Sequence, residues 1–120
     1  MKEEIAVSVI CIAYNHKKYI RQCLENVVKQ KTSFNYEVII HDDASTDGTV
    51  DILKEFGRKY SGKVKLILQK ENQHSKGKYV VDFAVKEAKG KYLALCECDD
   101  YWCDELKLQK QFDYMEENPG

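Results

Sequence analysis

The 120-residue sequence predicts an α/β fold, a Rossmann-like three-layer α/β/α sandwich on a mostly parallel sheet. Three observations predict it. Strand-length apolar runs alternate with stretches of helical periodicity, in the order β-α-β-α-β-α-β-α. Each connection between strands is long enough for a parallel crossover. Acidic or polar clusters, Tyr14-Asn15, Asp42-Asp43 and Glu97 to Asp100, follow three of the apolar runs, and open α/β sheets bind ligands beyond the carboxyl ends of their strands.

Ala6 to Ala13 is a β-rich apolar run, predicted as the first and central strand. It stops at Tyr14-Asn15, and Asn15 suits the N-cap of a helix whose apolar face reads Tyr19, Ile20, Cys23, Leu24, Val27 and Val28. Phe34, Tyr36, Val38, Ile39 and Ile40 predict the second strand, which ends in His41-Asp42-Asp43-Ala44-Ser45-Thr46-Asp47-Gly48-Thr49. Asp47 or Ser45 can cap the next helix, with a face of Val50, Leu53, Phe56 and Tyr60 before Gly62 breaks it. Val64 to Leu68 is the third strand, and Gln69 to Lys78 is a polar loop, the least patterned stretch. Val80, Val81, Ala84, Val85 and Ala88 mark a third helix with Gly90 as its C′ residue. Tyr92 to Cys96 then reads as a strand buried on both faces, and Leu108, Phe112 and Met115 predict a last helix running to about Glu117.

Residues 1–120 are of a length for one domain with a real core. With 19 basic against 20 acidic residues the net charge is −1, so no global field recruits nucleic acid or anionic lipid and function must come from a local site. The start is polar and the apolar runs are strand-sized, so neither a secretory signal nor a membrane span is expected, and the chain is expected to be soluble and cytoplasmic. Five cysteines, an odd number without disulfide-framework spacing, fit a reducing compartment. Cys96, Cys98 and Cys103 cluster, but the first two point to opposite faces of a strand and no Cys-x-x-Cys pair occurs, so buried apolar thiols are favoured over a zinc site.

Glu97, Asp99 and Asp100 crowd one strand end and repel one another, which calls for a cation. Hard divalent ions such as Mg²⁺ take oxygen ligands and bridge carboxylates to substrate phosphates. A solvated acidic turn is the alternative, and three clusters on one edge of the sheet favour a site. No Gly-x-Gly-x-x-Gly follows the first strand and no Walker A sequence occurs, so the phosphate-binding elements of dinucleotide and P-loop proteins are missing. His16, His41 and His74 are scattered, and surface or supporting roles are favoured for each. Tyr101 and Trp102 fit a ligand pocket or plain packing equally.

Val7-Ser8-Val9-Ile10 with Tyr14-Asn15, then Asp42 to Thr49, then Glu97-Cys98-Asp99-Asp100-Tyr101-Trp102 resemble the successive signatures of family 2 glycosyltransferases with the GT-A fold. The resemblance spans nearly the whole chain. It implies an N-terminal nucleotide-sugar-binding part of an enzyme of polysaccharide or glycoconjugate synthesis, one that transfers a sugar from a nucleotide-diphosphate donor, of the UDP type, to an acceptor hydroxyl with inversion, assisted by Mn²⁺ or Mg²⁺. Tyr14 and Asn15 match the strand end bordering the base, and Asp43, with Asp42 beside it, matches the carboxylate that accepts the uracil ring N–H, a task for an acceptor-only group. Asp99 matches the metal ligand of the family's Asp-x-Asp triplet. Glu97 stands at that triplet's first position, one methylene longer, with ribose or metal as its contact. Ile12 replaces a proline common in the family. Glu71-Asn72 and the loop through Lys76-Gly77 resemble a donor-side segment in which Lys76 or Lys78 can offset phosphate charge, with simple solvation the favoured reading of both lysines. The acceptor is a carbohydrate or a lipid-linked one, which leaves room for peripheral membrane association of a full-length protein. No residue here matches the family's general base, which the resemblance places in a following half that also builds the acceptor site.

The competing reading is a receiver-like regulatory α/β domain without catalysis. It needs an acid pair after the first strand and a phosphoacceptor aspartate after the third, where this sequence has Tyr14-Asn15 and Gln69-Lys70. A nucleotidyltransferase would want a glycine-rich basic loop near the N-terminus, where Asn15-His16-Lys17-Lys18 stands.

Overall fold

The computed structural model describes residues 4–15, 17–97 and 107–117. The elements are β1 (Ile5–Ala13), α1 (Lys17–Val28), β2 (Asn35–Asp42), α2 (Thr49–Lys59), β3 (Val64–Leu68), a 3₁₀ turn (His74–Lys76), α3 (Val81–Val85), β4 (Tyr92–Glu97) and α4 (Lys107–Glu117). The described strands form one sheet in the order β3-β2-β1-β4 with every pairing parallel, so the predicted α/β class stands and the first strand is central.

Alternation along the strands sorts the core into two layers, because successive side chains point to opposite faces. Val7, Val9, Cys11 and Ala13 of β1 and Tyr36, Val38 and Ile40 of β2 face α1, α2 and α4, packing with Ile20, Leu24, Val27, Leu53, Phe56 and Leu108. The other face is thinner. Ile10 and Ile39 pack there on Ala84, with Ile12, Ile67, Val81 and Ala88 partly buried around them. Among the described residues the α layer here is a single five-residue helix, α3, rather than the longer one the periodicity predicts. The pattern continues past it through Glu87 N–H to Ala84 O and Ala88 N–H to Val85 O, the three-residue reach of 3₁₀ turns. Leu93 and Leu95 of β4 lie beyond the reach of α3, at 45% and 65% exposure, so this strand is buried on one face and not on both as its apolar run predicts.

One buried polar cluster crosses these layers. Glu37 of β2 is 5% exposed. Its Oε2 accepts from Ser8 Oγ at 2.6 Å and from Lys89 N–H at 2.7 Å, and Lys65 Nζ lies 3.2 Å from Oε1. Burial alone would raise its pKa, but these donors together hold it below the ordinary carboxylate value. Ser8 Oγ in turn accepts from Gly90 N–H at 2.8 Å.

Two local expectations are corrected. Gly90 has no positive φ and is not a left-handed helix terminus. A Cβ there would sit 2.5 Å from Ser8 N and 2.7 Å from Val7 C, so glycine is required by the close approach of β1. Asn15 does not cap α1: its Oδ1 accepts from Thr46 N–H at 2.8 Å instead, and Asp47 Oδ2 receives the N–H of Lys17, the first residue of the helix, at 3.1 Å. Asp47 Oδ1 also accepts from Thr49 N–H at 3.0 Å, so one carboxylate serves the first turns of α1 and α2. Among the described residues no helix is long and apolar enough to cross a membrane.

Candidate functional site

β2 runs through His41 and Asp42, so the two neighbouring aspartates take opposite faces of the strand end. Asp42, in register with Ala13 and fully buried, turns to the α1 and α2 side. Its Oδ2 accepts from Ser45 N–H at 2.9 Å and its Oδ1 from Ser45 Oγ. These bonds close a sharp turn in which Ala44 adopts φ 64°, a left-handed conformation that a non-glycine residue rarely takes unless its surroundings impose it. Ser45 Oγ also accepts from Asn15 N–H at 2.9 Å, and with the Asn15 to Thr46 bond the loops after β1 and β2 are locked together. Asn15 too is left-handed, at φ 52°.

Asp43 faces the other way, 2% exposed. Its own N–H donates to Ala13 O at 3.0 Å, adding a rung to the β1–β2 pairing. Its Oδ1 accepts from Gln73 N–H at 2.6 Å, its Oδ2 from His74 N–H at 3.0 Å, and its carbonyl from Asn72 Nδ2 at 3.1 Å. The segment it receives is folded on itself: Ser75 N–H donates to Asn72 Oδ1 at 2.7 Å, and Gly77, at φ 78°, closes the 3₁₀ turn onto His74 O at 3.0 Å.

Between this segment and the strand ends lies a cleft of about 480 Å³ lined by Ile12, Tyr14, Asp43, Asn72, His74, Ser75 and Val80. Tyr14 is 45% exposed and offers a ring to it. Glu97, the last residue of β4, is the register partner of Ile12, which puts the Glu97 backbone position beside a residue that lines the cleft. Asp99, with Cys98, Asp100, Tyr101, Trp102 and Cys103, lies outside the described residues, as does His16. Lys76 is exposed and ion-paired with Glu71. The sequence brings Tyr14, Asp43 and the Glu97 position to one edge as expected. Asn15 and Asp42 serve there through the loop turns; Val80 is a cleft residue that sequence reasoning missed, and His74 and Ser75 are cleft residues within the loop that resembles a donor-side segment, where neither was singled out for the cleft. Their signal was Asn72-x-x-Ser75 ahead of Gly77, a side-chain-closed turn in an otherwise unpatterned loop.

His41 sits under the cleft, fully buried. Its ring stacks on Phe83 with centroids 5.3 Å apart, its Nε2 is 3.2 Å from Gln69 Nε2, and its Nδ1 has no hydrogen-bond partner. Burial pushes its pKa down, against the opposing charges of Asp43 and Asp42. Cys11, Cys23 and Cys96 are buried, with the thiols of Cys23 and Cys96 3.6 Å apart. Among the described residues no group of three or more His, Cys, Asp or Glu could hold a metal ion.

A family model described as "Glycosyl transferase family 2" matches residues 8–120. The uncharacterized protein Rv1520 of Mycobacterium tuberculosis is 44% identical over 94% of this chain and 32% of its own length. The Escherichia coli protein WfaP, named a UDP-Glc:alpha-D-GlcNAc-diphosphoundecaprenol beta-1,3-glucosyltransferase, is 39% identical over 92% of this chain and 41% of its own. Among solved structures, S. aureus TarS in complex with UDP superposes with a TM-score of 0.78 at 30% identity, covering 94% of this chain and 32% of that one. The chain thus spans 32% to 41% of the length of these relatives.

Proposed function

The chain belongs to glycosyl transferase family 2, and from that membership we propose that it forms the donor-binding part of an inverting glycosyltransferase using a UDP-sugar. The observation that carries this is the cleft at the carboxyl ends of β1 and β2, where a tyrosine and a carboxylate face one space beside the acidic end of β4. Uracil has a single ring N–H, and the Asp43 carboxylate is an acceptor for it, since each of its oxygens keeps a lone pair after receiving one backbone N–H. Tyr14 would lie against the base, with Asn15 and Asp42 holding the loops that present these groups. The names of WfaP and of the UDP-bound TarS structure support the uridine reading.

Mn²⁺ or Mg²⁺ is the cofactor of this reading. Glu97 and Asp99 offer only oxygen donors, which suit a hard divalent ion, and such an ion would neutralise the charge gathering on the departing diphosphate. Lys76, if released from Glu71, would add positive charge on the same side. The acceptor is a carbohydrate or lipid-linked hydroxyl, and the general base that deprotonates it lies outside these residues.

The experiment is calorimetric titration of the chain with UDP, GDP and ADP, with and without Mn²⁺. UDP should bind best, and Asp43→Ala should weaken it by about 1 to 3 kcal/mol, the scale of a charge-assisted hydrogen bond. Equal affinity for the three nucleotides would refute the uridine reading. With candidate UDP-sugars and a mixed acceptor pool the 120-residue chain should form no glycoside at an enzymatic rate, because absence of the base alone forgoes about 10²- to 10⁴-fold. Turnover equal to that of a longer form would place the base within these residues.

A further inference from the structure

We infer that Asp43 is a positioning residue as well as a base acceptor: it pins residues 71–77 to the sheet and so builds one wall of the nucleotide cleft. This rests on the uridine reading above. The wall has little else to hold it. Residues 71–77 contain no apolar side chain, and although Gln73 is buried, His74, Ser75 and Lys76 are exposed, so little hydrophobic burial offsets the entropy of ordering them. The bonds within the segment, from Ser75 to Asn72 and from Gly77 to His74, shape it without attaching it to anything. The described hydrogen bonds that do attach it to the strands, from Asn72 Nδ2, Gln73 N–H and His74 N–H, all end on Asp43. Asp43 is itself tied to Ala13 O, so a single residue joins the end of β1 to the loop. Three of the cleft residues, Asn72, His74 and Ser75, belong to this segment. Their placement depends on that one attachment.

Direct and positioning roles make opposite predictions for a change that spares the carboxylate. Gln73 has φ −82°, which proline can adopt, and it does not line the cleft. Gln73→Pro deletes the N–H received by Asp43 Oδ1. Gln73→Ala is the reference, since both lack the side chain and only alanine keeps the N–H. If Asp43 acts through the loop, Gln73→Pro binds UDP about tenfold more weakly than Gln73→Ala, the scale of one charge-assisted hydrogen bond. If it acts only by touching the base, freeing Oδ1 leaves affinity equal or better, and that result would overturn the inference. The second measurement needs no nucleotide. In Asp43→Asn, which keeps only one acceptor oxygen, amide hydrogen exchange over residues 72–78 should quicken while the amides of β1 and β2 stay protected. Unchanged exchange over 72–78 would also overturn the inference. Failure of the unmutated chain to bind any nucleotide would sink the functional reading, and the exchange comparison tells that failure apart from a failure of the attachment.

Discussion

Replacing Glu37 with glutamine should unfold the sheet at markedly lower denaturant, with the loss vanishing in acid. The side chain is 5% exposed and receives Ser8 Oγ, Lys89 N–H and Lys65 Nζ. Glutamine can keep its oxygen under the first two donors, but both bonds fall from charge-assisted to neutral, at about 1 kcal/mol each. Its amide nitrogen then faces Lys65 Nζ and loses the ion pair. That lysine side chain is 41% exposed, so solvent screening keeps this loss below about 1 kcal/mol. The sum is about 2 to 3 kcal/mol, and at a urea slope of roughly 1 to 3 kcal/mol per molar the midpoint should fall by about 1 M. The sign with pH follows from linkage: the folded pKa lies below the unfolded one, so the contribution is complete above about pH 4.3 and is lost as pH falls through the folded value. The gap between the two proteins should therefore close in acid. A midpoint unchanged at pH 7, or a gap of equal size at neutral pH and in acid, would refute the assignment of this cluster as a stabilising ionised one.

Gly90→Ala should destabilise by about 1 to 3 kcal/mol, because the added Cβ meets backbone atoms of Ser8 and Val7 rather than yielding side chains; thermal melting checks it, and an unchanged Tm would contradict the close approach. His41 has its pKa lowered by burial, so its neutral form contributes stability that is complete above about pH 6.5 and lost as pH falls through the folded pKa. Urea titrations across this range should show a slope that His41→Leu removes, and a slope persisting in the variant would assign it elsewhere. Asp99→Ala should abolish the Mn²⁺ dependence of UDP binding while Cys98→Ser leaves it, as read by calorimetry. The reverse outcome would move the metal to the thiols.

How much could be read without coordinates depended on whether the information was local. The alternation and helical spacing placed all four strands and located the helices, because which face of an element is apolar is a property of that element's own residues. The edge of the sheet that carries the candidate site followed from the same pattern, through Tyr14-Asn15, Asp42-Asp43 and Glu97 at strand ends. Their division of labour did not. Asp42 and Asp43 are adjacent in sequence, yet one is turned into the Ser45 turn and the other onto the 71–77 segment. That depends on β2 extending two residues further than its apolar run and so fixing which face each occupies. Glu37 reads as an ordinary strand carboxylate until parallel register brings Ser8, Lys65 and Lys89 around it. Gly90 reads as a helix stop until β1 is seen against it. Periodicity determined the layers and the edge that carries the candidate site, whereas the hydrogen-bond partners 29 to 52 residues apart were decided only by tertiary register, because a donor's partner is set by where the chain returns in space and leaves no mark on its neighbours in sequence.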